Sequence, residues 1–227
     1  MSNWLNPDNK FFSVMGKVFD IVVLNTIWLI LCLPVVTIVP ATTAMYYAVV
    51  KVIRRERSYA ITEFFRSFKL NFKQGFVFSV ITVVFALVLV MDFRYAWELM
   101  VAQENSGSIY LGVFLVIALL FFSMFAYLCP VLSRFDMKIG GFLKISFIMA
   151  TKHLLTTIVL LLIMVGVLLG CVIMLPAVFF LPAVGTLLAS FMIERVFKKY
   201  MPEKEEVDEM GEGEETEKEK KDEWYLE

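Results

Sequence analysis

The octets "LPVVTIVP", residues 33–40, and "LPAVFFLP", residues 175–182, share one pattern: Leu-Pro, five residues, then a second Pro. Each lies inside a long apolar run. Pro34 and Pro176 cannot donate a helical hydrogen bond and obstruct the preceding turn. Pro40 and Pro182 suit the first turn of a new helix. Each octet therefore predicts a tight apolar reversal between two paired helices. The uncharged middles, 35–39 and 177–181, predict turns that dip into a bilayer. There the backbone must be covered by protein, because lipid cannot satisfy its polar groups. With Pro40 aligned on Pro182 the likeness continues, Ala41 matching Ala183 and Ala44/Ala48 matching Thr186/Ser190. A Pro-interrupted segment repeated in two halves marks a site in some transporters. The plainer reading is a pair of hairpins packed symmetrically.

The composition supports a membrane setting. Of 227 residues, 59% are hydrophobic and 19% charged, against roughly 45–50% and about 25% in an average soluble domain. Apolar runs at about 18–33, 35–53, 75–91, 109–131, 154–175 and 177–193 reach or approach the roughly 20 residues that cross a bilayer. The N-terminal stretch is polar and aromatic and lacks a small-residue cleavage site, so the first run is expected to stay as a span. Cys32, Cys129 and Cys171 all lie in apolar runs without metal or disulfide spacing and are expected to be buried thiols.

Charge sets the direction. The stretch 51–73 holds seven Lys and Arg, 92–108 holds only Arg94, 132–152 holds four, and 174–182 none. The first two runs allow a second reading, one span followed by a surface helix. Six spans with both termini inside place twenty of the twenty-one basic residues in the cytoplasm, which is the positive-inside pattern. The expected fold is thus all-α and polytopic, six transmembrane helices in three hairpins. Residues 1–201 form the membrane domain. Residues 202–227 carry thirteen acids and four lysines, a net of −9 that leaves the rest at +8. This low-complexity stretch predicts a disordered acidic cytoplasmic tail.

Each hairpin is preceded by an aromatic, basic segment. The clearest is "EFFRSFKLNFKQGF", residues 63–76, where Ile61, Phe64, Phe65, Phe68 and Phe72 fall on one helical face with Arg66, Lys69 and Lys73 beside it. This predicts an amphipathic helix on the inner leaflet, its cations each gaining about 1 kcal/mol near anionic lipid. Anionic inner-leaflet lipid is accordingly an expected partner, and nothing predicts a nucleic-acid partner.

The spans hold little chemistry. No Asp, Glu, Lys, Arg or His stands in the middle of a run, which weakens a proton-coupled pump. Asp20 and Glu194 stand near cytoplasmic span ends, within snorkelling reach of water, and read as structural. His153 has no second ligand nearby and reads as an interfacial anchor. No phosphate-binding glycine loop or HExxH occurs, so no enzyme activity, cofactor or metal is expected. Asn25 is the polar residue of most interest, either as interhelical glue or lining a site with Thr37 and Thr42 and the prolines Pro34, Pro40, Pro176 and Pro182. "GVLLG", 166–170, permits close helix approach, within the chain or in a dimer.

Leu24-Asn25, Leu33-Pro34, Thr37, Pro40, Ala41 and the 64–73 stretch resemble the YesL-like family of bacterial membrane proteins of unknown function, over about residues 10–200. The acidic tail lies outside the likeness. The family's genes often lie near carbohydrate-uptake and sugar-degradation genes, so the resemblance implies a non-enzymatic membrane protein accessory to sugar uptake or sensing, with a transporter or sensor as partner. The alternative is a small-molecule substrate-binding or transport subunit built around the two octets and Asn25.

Overall fold

The computed structural model describes residues 10–55, 58–102 and 106–200. The expected tail lies outside the described residues. The described chain is all-α, with seven helices and no strand: α1 (Lys10–Cys32), α2 (Ile38–Ala48), α3 (Ala60–Val101), α4 (Ser106–Arg134), α5 (Ile139–Lys152), α6 (Leu154–Ile173) and α7 (Leu181–Phe197). Five segments are long and apolar enough to cross a membrane: Val14–Cys32, Val35–Arg54, Ala60–Val101, Gly107–Arg134 and Leu154–Ile173. The sixth run forms α7, displaced C-terminally to Leu181–Phe197 and 17 residues long.

One helix is central. Of the Val35–Arg54 segment 72% is buried, against 6–17% of the other four. Val39, Ala41, Ala44, Met45, Ala48 and Val49 are buried almost completely, and small residues at Ala41, Ala44 and Ala48 let neighbours approach closely. Around α2 the other helices expose broad apolar faces, such as Val84, Leu87 and Val90 on α3 and Leu155, Leu162 and Val172 on α6. Apolar outside, with polar side chains within, is the arrangement that lipid selects.

The segments expected as separate surface helices differ from one another. Residues 10–20 are the start of α1 and 60–74 the start of α3, each continuous with the apolar run after it. α3 is thus one helix of 42 residues, about 63 Å long and twice the roughly 30 Å of a hydrocarbon core. Nothing breaks it, because 60–101 contains no proline and its one glycine, Gly75, is tolerated where it packs. Only the third segment is a helix of its own, α5, which buries Phe142, Ser146 and Met149.

The face that α3 turns inward is also not the aromatic one. It buries Glu63, Ser67, Asn71, Gly75 and Ser79 at four-residue spacing, together with Phe64 and Phe78, while Ile61, Phe65 and Phe72 are exposed. Phe68 is half-buried, stacked on Phe64 and tilted against Phe72 in a ladder that continues to Phe76. Hydrophobic periodicity finds the stripe, but in lipid the stripe need not be the core side.

Candidate functional site: two turns and a buried charge cluster

Both octets form reversals built on single turns of 3-10 helix, Val35–Thr37 and Leu175–Phe179. In the first, Pro34 precedes the 3-10 turn and its carbonyl accepts from Thr37 N–H at 2.9 Å. Thr37 Oγ1 donates to the carbonyls of Leu31 and Pro34. In the second, Pro176 opens the turn and Ala177 N–H donates to Met174 at 2.8 Å. Leu33 and Leu175 are 80% and 78% exposed, as suits turns surrounded by lipid rather than water.

The helices that follow begin with amide groups that have no partner inside the helix. The sequence disposes of these one by one. Pro40 and Pro182 have no N–H to satisfy. Ile38 N–H reaches Val35 O, and Val39 N–H donates to Ser79 Oγ of α3 at 3.1 Å. In the second turn Val184 N–H donates to Phe180 O, and Ala183 N–H donates to Asn25 Oδ1 of α1 at 3.1 Å. Each of these helices is therefore capped from outside by a polar side chain on another helix.

Asn25 uses both ends of its amide, since Nδ2 donates to the carbonyl of Val178. One turn on, Trp28 Nε1 donates to Thr42 Oγ1 at 3.1 Å, and Thr42 Oγ1 donates back to Ile38 O at 2.7 Å. α1 thus clasps both turns, Asn25 holding the second and Trp28 the helix after the first. Both hydrogen bonds of the Asn25 amide join α1 to the second turn. Asn25→Ala leaves an amide and a carbonyl without this partner and should destabilise the protein by about 1–2 kcal/mol. Thermal unfolding in detergent checks this, and an unchanged midpoint would mean that the turn holds without α1.

Close approach of backbones completes the joint. A Cβ on Gly75 would stand 2.8 Å from Pro40 Cβ and 3.0 Å from its Cα. Together with the Ser79 bond this seats the first turn against 75–79, so α3 runs on about 33 Å beyond it in company with α4. In the 166–170 motif Gly170 packs against Leu181, whereas Gly166 faces open space. The close approach there is within the chain, and Gly185 supplies its other half against Val167.

At the far end of α2 the chain passes into a π-helix, Val49–Arg54. Its wider turn spreads three cations around the helix end. Lys51 Nζ meets Glu63 Oε2 of α3 at 3.0 Å, both side chains buried. Arg54 Nη1 donates to Ser190 O of α7 at 2.9 Å and its guanidinium lies 4.6 Å from the Phe191 ring centroid. Arg55 approaches Glu194 Oε2 at 3.8 Å. Glu194 is the hub: its Oε1 accepts from Arg134 Nη2 at 2.6 Å and Nε at 3.2 Å, and from Tyr46 OH at 2.9 Å. Glu194 is 6% exposed and Arg134 3%. Glu194, near a span end and within reach of water by sequence, does not use that reach. It is enclosed, and it ties the ends of α2, α4 and α7.

Of the residues singled out from sequence, Asn25, Thr37, Pro40, Thr42, Pro176 and Pro182 fall in this joint with Pro34 at its edge, while Arg66, Lys69 and Lys73 stand apart, exposed on α3. Sequence reading missed Ser79, Gly75, Tyr46 and Arg134, and named Glu194 without its partners. The one available signal was a carboxylate in an apolar helix end, Glu194. Among the described residues no group of three His, Cys, Asp or Glu is placed to hold a metal ion.

Residues 21–93 match the family described as "Protein of unknown function, DUF624". The chain is also 32% identical over 136 residues to the uncharacterized protein YesL of Bacillus subtilis (strain 168), a match covering 56% of this chain and 60% of that protein's length. The chain is thus similar to the YesL-like family of unknown function. No solved structure matches the chain. The matched 21–93 region carries Asn25, the first turn, α2 with its π-helical end, Glu63 and Gly75. It omits the second turn, which Asn25 engages, and Arg134 and Glu194, which meet the end of α2. Half of the joint thus lies in the matched region and half outside it.

Proposed function

We propose that the protein is a non-enzymatic multi-pass membrane protein that serves as an accessory to a carbohydrate-uptake or sensing system in the bacterial plasma membrane. The carrying observation is that the interior polar groups are used to join helices. Asn25, Ser79, Trp28 and Thr42 hold the turns, and Tyr46, Arg134 and Glu194 tie three helix ends. A scaffold of that kind supports binding to a neighbour more readily than chemistry of its own. The sugar connection rests on the family resemblance.

Three hairpins, α1–α2, α3–α4 and α6–α7, with both termini on the basic, cytoplasmic side are the topology we favour. The lengths of five helices support full crossings, and a tilted or locally thinned bilayer would extend that to the shorter α7. The seat of the first turn against Gly75 supports a variation in which α1–α2 turns in the inner half of the bilayer. The substrate-subunit alternative is disfavoured by Asn25, whose amide is already engaged at both ends.

Affinity purification of the tagged full chain from native membranes, with mild solubilisation and mass spectrometry, tests the function. A sugar transporter or membrane sensor should co-purify in near-stoichiometric amount. Recovery of the chain alone, or only with general chaperones, would overturn the reading.

A further inference from the structure

We propose that the outward face of the first half of α3 binds the headgroups of anionic phospholipid on the cytoplasmic side of the membrane. The inference rests on the orientation given above, with the basic end inside. α3 turns Glu63, Ser67 and Asn71 inward, which leaves Arg66, Lys69 and Lys73 exposed at spacings of three and four, on one side of the helix. Between and beside them Phe65, Phe72 and Phe76 are exposed as well. A face in deep lipid carries no cations, and a face in water seldom carries a row of phenylalanines. Both together suit the headgroup layer, where ammonium and guanidinium groups meet phosphates while their stems and the rings lie on acyl chains.

The position along the helix agrees. After Lys73 no charged residue occurs until Asp92. Those 18 residues span about 27 Å, close to the roughly 30 Å hydrocarbon core. At the far end Tyr95, Trp97 and Tyr110 are exposed, an aromatic girdle marking the opposite interface. The stretch 60–73 therefore emerges into the headgroup layer of the basic side. There a broad open cleft of about 760 Å³, lined by Gln74, Asp136, Met137, Lys138, Ile139 and Gly140, adjoins it. Gln74 Nε2 donating to Met137 O at 3.3 Å ties its two walls. The occupant is a lipid surface rather than a soluble anion, because the rings need acyl chains as much as the cations need phosphate.

The test uses the purified full chain in mixed micelles of phosphatidylglycerol and phosphatidylcholine in equal amount, read by native mass spectrometry. The wild-type chain should retain phosphatidylglycerol several-fold over phosphatidylcholine, and the preference should fall in 1 M salt, where the Debye length is about 3 Å. Arg66→Gln/Lys69→Gln/Lys73→Gln, three exposed changes, should reduce the ratio to near unity with thermal stability kept. An undiminished ratio in the triple variant overturns the proposal, as does equal competition by inorganic phosphate. Orientation is read separately: with the native cysteines replaced, an impermeant thiol reagent should label Ser106→Cys but not Lys73→Cys in intact cells. Labelling of Lys73→Cys would overturn the topology while leaving any measured lipid preference standing.

Discussion

Glu194→Ala should be the most damaging single substitution in the described chain, costing about 3–5 kcal/mol. The carboxylate accepts from Arg134 and Tyr46 and faces Arg55. Removing it leaves the guanidinium of Arg134, 3% exposed, enclosed without that counter-charge. Desolvation of a buried cation then loses this compensation, which outweighs the modest cavity left by four heavy atoms. The readout is unfolding in detergent followed by a thiol-reactive dye, since Cys129 is buried and reacts only when the bundle opens. Pairing Glu194→Leu with Arg134→Met should cost less than Glu194→Ala, because it removes both charges rather than one. A midpoint for Glu194→Ala close to wild type would mean that water reaches the cluster.

Gly75→Val should be the second most damaging. The added Cβ would overlap Pro40 at both side chain and backbone, and a proline ring within a helix has nowhere to swing. α2 and α3 must part, which loosens the Val39–Ser79 bond as well. Overpacking of this sort costs about 1–3 kcal/mol, and the better helix propensity of a residue with a side chain returns at most about 1. Gly166→Ala, which enters open space, is the comparison and should be neutral or slightly stabilising. Equal midpoints for the two variants would mean that the first turn is not seated on α3.

The turns were legible because proline acts locally. Its missing N–H and fixed φ disfavour a helix interior, and it is the paired spacing of Pro34 with Pro40 and of Pro176 with Pro182 that marks a reversal, since the lone Pro130 lies inside α4. The long apolar runs were legible for a similar reason, since length and composition need no partner. What periodicity leaves open is direction. On α3 the Phe row and the Glu63–Ser67–Asn71 row are both four-residue stripes, and only the surrounding medium decides which faces inward. The charge cluster was illegible because Tyr46, Arg134 and Glu194 are separated by 88 and 60 residues. No local pattern brings them together. The π-helical turn that aims Lys51, Arg54 and Arg55 has no composition of its own in "VVKVIR".

The order in which the chain emerges from the ribosome gives the Glu194 hub a further meaning. Tyr46, Arg54, Arg55 and Arg134 are all synthesised before it, and Glu194 arrives on α7, the last described helix. Until then the ends of α2 and α4 lack the acid that ties them, and Ala183 has not yet met Asn25. The bundle therefore closes late, from both ends of one helix at nearly the same moment. A nascent chain stalled anywhere short of α7 lacks both ties, the Glu194 carboxylate at one end and the Ala183–Asn25 cap at the other.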